Sequence, residues 1–367
     1  MHSRIAYLVH DLGDAAVARR VEGLQAGGGA VALAGFYRRA APASIAGAPA
    51  LAIGRSHDGR LAARALLVLR RLLFPGKLRA MVRGADVVMA RNLEMLAIAA
   101  RLARKGQPVV YECLDIHRSI LSSGPGGRVL RFIERRLLSR TARVIVSSPA
   151  FERDYFRARQ GWPGPVDLVE NKVAALPDIP PPQDRQGPWV IGWFGMLRCR
   201  RSLAILSDLA ARSQGRVRVL IAGLPTPDIF PDFPAAIARL PGVEYAGPYR
   251  PGDLPRLYGR VHFAWCIDYF EEGLNSAWLL PNRLYESLAH GAVPVALADV
   301  ETGRWLAAAD VGLRLPSGEA LGPVLTGMTA AQHTRLAAAV RALPRDRIAF
   351  SPEDHRRLVA RLETIAA

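Results

Sequence analysis

The chain has 367 residues, half of them hydrophobic, and its 49 Lys and Arg against 32 Asp and Glu give a formal charge of +17. This length and apolar content suit two domains with sizeable cores and exclude a disordered or fibrous chain. Cys113, Cys199 and Cys266 are too few and too scattered for a disulfide framework or a paired-cysteine metal site, which fits a reducing cytosol.

From the N-terminus, the first apolar run is too short for a signal-peptide core, and no run of about 18 apolar residues follows, so neither export by that route nor a membrane span is expected. Strand candidates then alternate with helical stretches, the pattern of parallel sheets with helical crossovers. The first half predicts strands at 5–10, in a run ending at Phe36, and at 86–90, 108–112 and 142–148. It also carries most of the charge: residues 1–180 hold 28 Lys and Arg against 14 Asp and Glu, which is +14 of the +17. Between 55 and 105, twelve basic residues face only Asp58, Asp86 and Glu94. There GRLAARALLVLRRLLFPGKLRAMVRGA predicts two short amphipathic helices broken near Phe74-Pro75-Gly76. An apolar stripe flanked by arginines suits the surface of an anionic membrane. The plainer alternative is a surface helix with its leucines on the core and its arginines in water. Nucleic acid is the other polyanion to weigh, but no recognition helix, zinc finger or RNA-binding aromatic motif occurs, so no nucleic-acid partner is expected.

Pro177, Pro180, Pro181 and Pro182 fall in a stretch without apolar periodicity, read as a linker over 177–188. Strands then restart near Trp189, Val217, Val243, Val261, Val293 and Val311. The expected fold class is α/β, with two Rossmann-like doubly wound domains at 1–176 and 189–350 and a C-terminal helix at 351–367 packing back on the first. Two such domains imply a cleft beyond the carboxyl ends of their strands, the default binding site.

The most informative stretch is NSAWLLPNRLYESLAHGAVPVAL, starting at Asn275. Pro281 opens a helix, Asn282 and Arg283 occupy its positive first turn, Glu286 lies one turn on, and Gly291 ends it. Such a terminus attracts phosphate, and the carboxylate can accept hydrogen bonds from a ribose diol. Upstream, Gly192 and Gly195 end a strand before Arg198 and Arg201, a pair able to hold a diphosphate. The spacing matches neither a dinucleotide fingerprint nor a P-loop.

With Gly247-Pro248-Tyr249, these motifs resemble the nucleotide-sugar domain of GT-B glycosyltransferases, and most closely the family-four-like enzymes of bacterial exopolysaccharide assembly, including the succinoglycan type. VVYECLDIHR, FIERRLLSRTARVIVSS and VDLVENKV extend the resemblance across the first half. It implies that Glu286 binds the donor ribose, that Arg198 and Arg201 bind the diphosphate, that Gly195 permits close approach, and that Asn282 and Arg283 lie beside the phosphates. Tyr249 falls where such enzymes contact the base. Asp268 and Glu272, with Asn275, lie near the donor sugar. Two departures bear on stereochemistry: Trp278 stands eight before Glu286 where retaining members have glutamate, and Leu114-Asp115 replaces His-Asp. Inversion is therefore slightly favoured, with no metal and no resident cofactor, the nucleotide diphosphate sugar being a co-substrate.

An inverting enzyme needs a general base on the acceptor side. Asp11, Asp14, Glu112, Asp115 and His117 are candidates at strand ends; Asp115 is preferred, with Glu112 and His117 behind it, and His10 and Asp11 are assigned to the acceptor. The expectation is a hexosyltransferase, peripheral on the inner face of the cytoplasmic membrane, acting on a saccharide carried by polyprenyl diphosphate. Its alternatives are a soluble transferase on a small molecule or protein and a GT-B-like module without catalysis.

Overall fold

The computed structural model describes residues 3–38, 40–56, 61–178 and 187–366. The chain divides into two units, Met1–Glu170 with Phe350–Ala367, and Asn171–Ala349. It therefore leaves the first unit upstream of the proline-rich stretch, and the residues after Asn171 go with the second. Val173 pairs there with Ala349 as an isolated bridge. Of the expected linker, residues 179–186, including Pro180, Pro181 and Pro182, lie outside the described residues.

The first unit holds strands β1 (Arg4–Val9), β2 (Ala30–Tyr37), β3 (Ser44–Ile45), β4 (Ala48–Arg55), β5 (Val87–Arg91), β6 (Val109–Cys113), β7 (Arg143–Val146) and β8 (Val166–Leu168). They form one sheet in the order β3-β4-β2-β1-β5-β6-β7-β8. Every pairing is parallel except the β3–β4 hairpin. Helices cover both faces, so the central strands are apolar runs buried on both sides. β5 and β6 are buried throughout, even at Arg91 and Glu112. The sequence predicts five strands here; β3, β4 and β8 are additional. β4 is rich in Ala, Pro and Gly, residues with little strand preference, and β8 is only three residues long.

On one face the helix Ala15–Ala26 packs against the helix Pro352–Ala366, which buries Leu358, Val359 and Leu362. The backbones meet at Gly27, where a Cβ would lie 2.3 Å from the His355 carbonyl oxygen. Arg361 adds an ion pair to Asp167 at 2.8 Å. On the other face the helix Leu93–Leu102 is flanked by the helices Leu61–Leu73 and Pro125–Leu138.

The second unit holds β9 (Trp189–Leu197), β10 (Val217–Pro225), β11 (Val243–Tyr245), β12 (Phe263–Trp265), β13 (Val293–Leu297) and β14 (Leu313–Leu315). All are parallel, in the order β11-β10-β9-β12-β13-β14. All six expected strand regions are present. Two apolar clusters cover the two faces of this sheet, one centred on Trp193, Trp265 and Leu206, the other on Phe194, Tyr258, Leu284 and Leu288.

Candidate active site

Strand order in the second unit reverses beside β9, with β10 on one side and β12 on the other. Adjacent connections leave in opposite directions there, which opens a crevice at the carboxyl ends of β9 and β12. β9 ends through Gly195, whose φ of +123° only glycine adopts easily. It pairs with Gly223 of β10, where a Cβ would lie 1.7 Å from the Gly195 carbonyl oxygen. A Cβ on Gly195 itself would meet nothing within 4 Å, so its outer side faces open space.

Beyond β9, Arg198 stacks its guanidinium 4.5 Å over the Phe270 ring, and Arg201 stacks 4.1 Å over Tyr269. Both rings belong to the loop after β12. Arg201 also donates to Glu272 at 2.7 and 2.8 Å and lies 3.5 Å from Glu319. Asp268 sits between two cations, its Oδ2 being 3.7 Å from Arg198 and 3.8 Å from Arg283. Its Oδ1 accepts from the Phe270 N–H at 2.8 Å, which fixes the loop. Arg283 donates to the Ile267 carbonyl at 3.4 Å, tying its helix to the end of β12, while its buried Nε has no hydrogen-bond partner.

The helix Asn282–Ala289 begins after Pro281 and carries no acid in its first turn, so nothing on it competes with an incoming anion for the free N–H groups. Asn282 is exposed, Arg283 and Glu286 are partly buried, and Gly291 closes the helix with φ +73°. Behind it, His290 stacks on Tyr258 at 5.0 Å, and Phe194 packs edge-on between Tyr258 and Tyr249. Tyr249 is thereby placed beside β9, against Phe194, the residue before Gly195. Asn275 is buried in the turn preceding this helix.

In the first unit the order reverses beside β1, with β2 and β5 as its neighbours. Asp11 follows β1, pairs with Arg38 at 3.0 Å and accepts from Gly13 N–H. Asp14 caps the next helix, accepting from Ala16 N–H at 2.9 Å. The His10 Nδ1 is buried without a hydrogen-bond partner, and burial lowers the imidazole pKa. After β6, Asp115 is exposed on the loop. His117 Nδ1 accepts from Ser119 N–H at 3.2 Å and caps a short helix; partial burial lowers its pKa also.

Glu112 is a correction to the sequence reading. It lies inside the unit, accepting from Arg91 at 2.7 Å, from Arg20 at 2.6 Å and from the Tyr7 hydroxyl. Burial alone would raise its pKa, but the two guanidiniums outweigh that and hold it at about 2. A fully buried carboxylate so held takes no proton from a substrate, which removes Glu112 from the candidate bases.

A cavity of about 1050 Å³ in the second unit opens between Trp189, Arg216 and Pro323, at the amino-terminal ends of β9 and β10. Its lining reaches Glu319, the carboxylate 3.5 Å from Arg201, but includes none of Gly195, Arg198, Arg201 or Arg283. Among the described residues, no group of three or more His, Cys, Asp or Glu is placed to hold a metal ion.

Residues 13–172 match the model of the "Glycosyl transferase 4-like domain". The succinoglycan biosynthesis protein ExoL of Rhizobium meliloti (strain 1021) is 46% identical over 343 residues, 89% of this chain and 85% of that protein. The chain belongs to the family-four-like glycosyltransferases. Its fold is GT-B: Anabaena HepE, solved with UDP and glucose, superposes with a TM-score of 0.73 at 18% identity, covering 99% of this chain and 100% of that one. Sucrose-phosphate synthase from Thermosynechococcus elongatus gives 0.72 at 15% identity, covering 99% and 98%.

In this glycosyltransferase the structure brings Gly195, Arg198, Arg201, Asp268, Arg283 and the helix carrying Asn282 and Glu286 to one strand-end cluster. Tyr269, Phe270 and Glu319 join it without having been singled out by the sequence. The aromatic pair directly after Asp268 in IDYFEEG carries the signal for the first two. Glu319 follows a strand far along the chain and gives none.

Proposed function

We propose that this glycosyltransferase transfers a hexose from a nucleoside diphosphate sugar to a lipid-linked saccharide in exopolysaccharide assembly, with inversion and without a metal, on the inner face of the cytoplasmic membrane. The observation that carries the donor reading is the pair of guanidiniums, Arg198 and Arg283, set on either side of Asp268 beyond β9 and β12, with the outer side of Gly195 open. Paired guanidiniums of this kind make charge-assisted hydrogen bonds to phosphate oxygens. The likeness to HepE, which was crystallised with UDP and glucose, supports a nucleotide-sugar donor, and the ExoL relative supports the exopolysaccharide role.

The chemistry follows from the charges. As the bond from the anomeric carbon to the diphosphate oxygen breaks, negative charge grows on the leaving group. Arg198, Arg201, Arg283 and the N–H groups opening the helix Asn282–Ala289 stabilise that charge, the task a divalent cation performs elsewhere. Glu286, one turn in, accepts hydrogen bonds from the ribose hydroxyls, and Tyr249 lies against the base. The acceptor hydroxyl attacks from the opposite face while a carboxylate removes its proton. Asp115, exposed at a strand end, takes this role now that Glu112 is excluded, with His10 and Asp11 orienting the acceptor.

The test is transfer from UDP-sugars to a polyprenyl-diphosphate saccharide in the presence of EDTA, with the anomer read by NMR. The expected product is inverted and forms at an undiminished rate. Asp115→Asn should slow transfer by about 10²–10⁴ while leaving UDP binding intact. Near-normal turnover in that variant would remove Asp115 from the mechanism.

A further inference from the structure

The helix Leu61–Leu73 turns its leucines in two directions. Leu67 contacts the strand layer, lying 3.5 Å from where a Cβ on Gly54 would sit, whereas Leu66, Leu69 and Leu73 point outward with Phe74 after them. Leu66 is 66% and Phe74 70% exposed. The plainer reading of this stretch, with all its leucines on the core, fails. The helix Pro125–Leu138 shows the same inversion, leaving Val129, Phe132 and Ile133 exposed at one-turn spacing. Of the ten large apolar side chains exposed among the described residues, seven belong to these two stretches, so exposure is concentrated rather than scattered. Both helices flank the helix Leu93–Leu102 on one face of the sheet.

Charge identifies the occupant. Residues 61–84 contain six basic residues and no acid. Residues 125–140 contain five basic residues and one acid, Glu134, which is buried and bonded to Tyr111, Tyr155 and Gln160. The outer surface of both segments is therefore apolar and cationic without an exposed carboxylate. That combination fits a bilayer of anionic lipid: acyl chains take the apolar stripe and headgroups take the arginines.

We propose that the helices Leu61–Leu73 and Pro125–Leu138 form one docking surface for an anionic lipid bilayer. It deepens the lipid-acceptor reading and rests on it for its purpose. Arg64 of the first helix pairs with Glu94, at the start of the helix that follows β5, so the bilayer contact reaches the strand ends assigned to the acceptor.

Vesicle flotation tests it in the absence of any substrate. The full chain should float with phosphatidylcholine vesicles containing phosphatidylglycerol and not with phosphatidylcholine alone. Arg70→Gln with Arg128→Gln, one charge from each helix, should weaken binding about thirtyfold, each arginine being worth about fivefold. Phe132→Ser with Ile133→Ser, and separately Leu69→Ser with Leu73→Ser, should each weaken it at least tenfold. Leu168→Ser, an exposed apolar position outside the surface, should leave it unchanged. All these positions are exposed, and unaltered thermal unfolding confirms that the variants fold. Failure to float, equal binding to neutral vesicles, or self-association abolished by the same substitutions would overturn the surface. A protein that floats but uses no lipid-linked acceptor keeps the surface and loses the acceptor reading; one that transfers without floating does the reverse.

Discussion

Both units carry arginine at or just beyond the end of a central strand, yet they treat it differently. In the first, Arg91 closes β5 and is sealed inside, held by Glu112 and Asp14 and facing the Tyr7 ring at 5.6 Å. In the second, Arg198 and Arg201 follow β9 on the surface, laid on aromatic rings with their hydrogen-bonding edges only partly engaged. The sealed arginine completes its charge pairing within the fold and has nothing left to offer a ligand. The stacked pair is held in place by ring faces, which leaves N–H groups for an incoming anion. Position at a strand end does not distinguish a structural arginine from a binding one; the identity of its neighbours does.

The sharpest way to break this contrast is to cross the expected effects. Glu112→Ala leaves Arg91 as an uncompensated buried charge, and unfolding of the first unit in urea should show a loss of about 3–5 kcal/mol. Binding of UDP to the folded variant should be unaltered. Arg198→Ala should do the opposite, lowering kcat/KM for the donor by about 10²–10³ with the unfolding midpoint unmoved. If Arg198→Ala unfolds the protein or Glu112→Ala abolishes UDP binding, the division between the two kinds of arginine collapses.

A smaller effect sharpens the first half of the comparison. Folding holds Glu112 at about 2, below its ordinary 4.5. A depressed carboxylate contributes stability that is fully present above about pH 4.5 and lost as pH falls towards 2. Glu112→Gln should therefore flatten the acid limb of the stability profile across that window, and an unchanged limb would show that other carboxylates govern it. Smallest of all, Arg212→Ala removes an exposed pair with Asp208 one turn away. It should alter stability by no more than about 0.5 kcal/mol.

How much of this was legible depended on whether the cause was local. The apolar runs of β1, β5 and β6, the Pro75-Gly76 break and the helix opened by Pro281 each rest on neighbouring residues, and the sequence alone shows them. Glu112 ends the strand expected at 108–112, where an acid reads as an exposed terminus; only the fold brings Arg20 and Arg91 to it. The outward turn of Leu66 and Leu69 is likewise invisible to periodicity, which shows that a stripe exists and not which way it faces. Tyr269 and Phe270 read as loop aromatics until β9 and β12 are neighbours.

The two crossings of the chain, after Glu170 and after Ala349, have a consequence for biosynthesis. The helix Pro352–Ala366 covers an apolar face formed by residues translated far earlier. During translation that face stays open while the whole second unit is made. The first half of the protein thus waits on its last helix, and a ribosome stalled before residue 350 would present a half-covered sheet to chaperones rather than a finished domain.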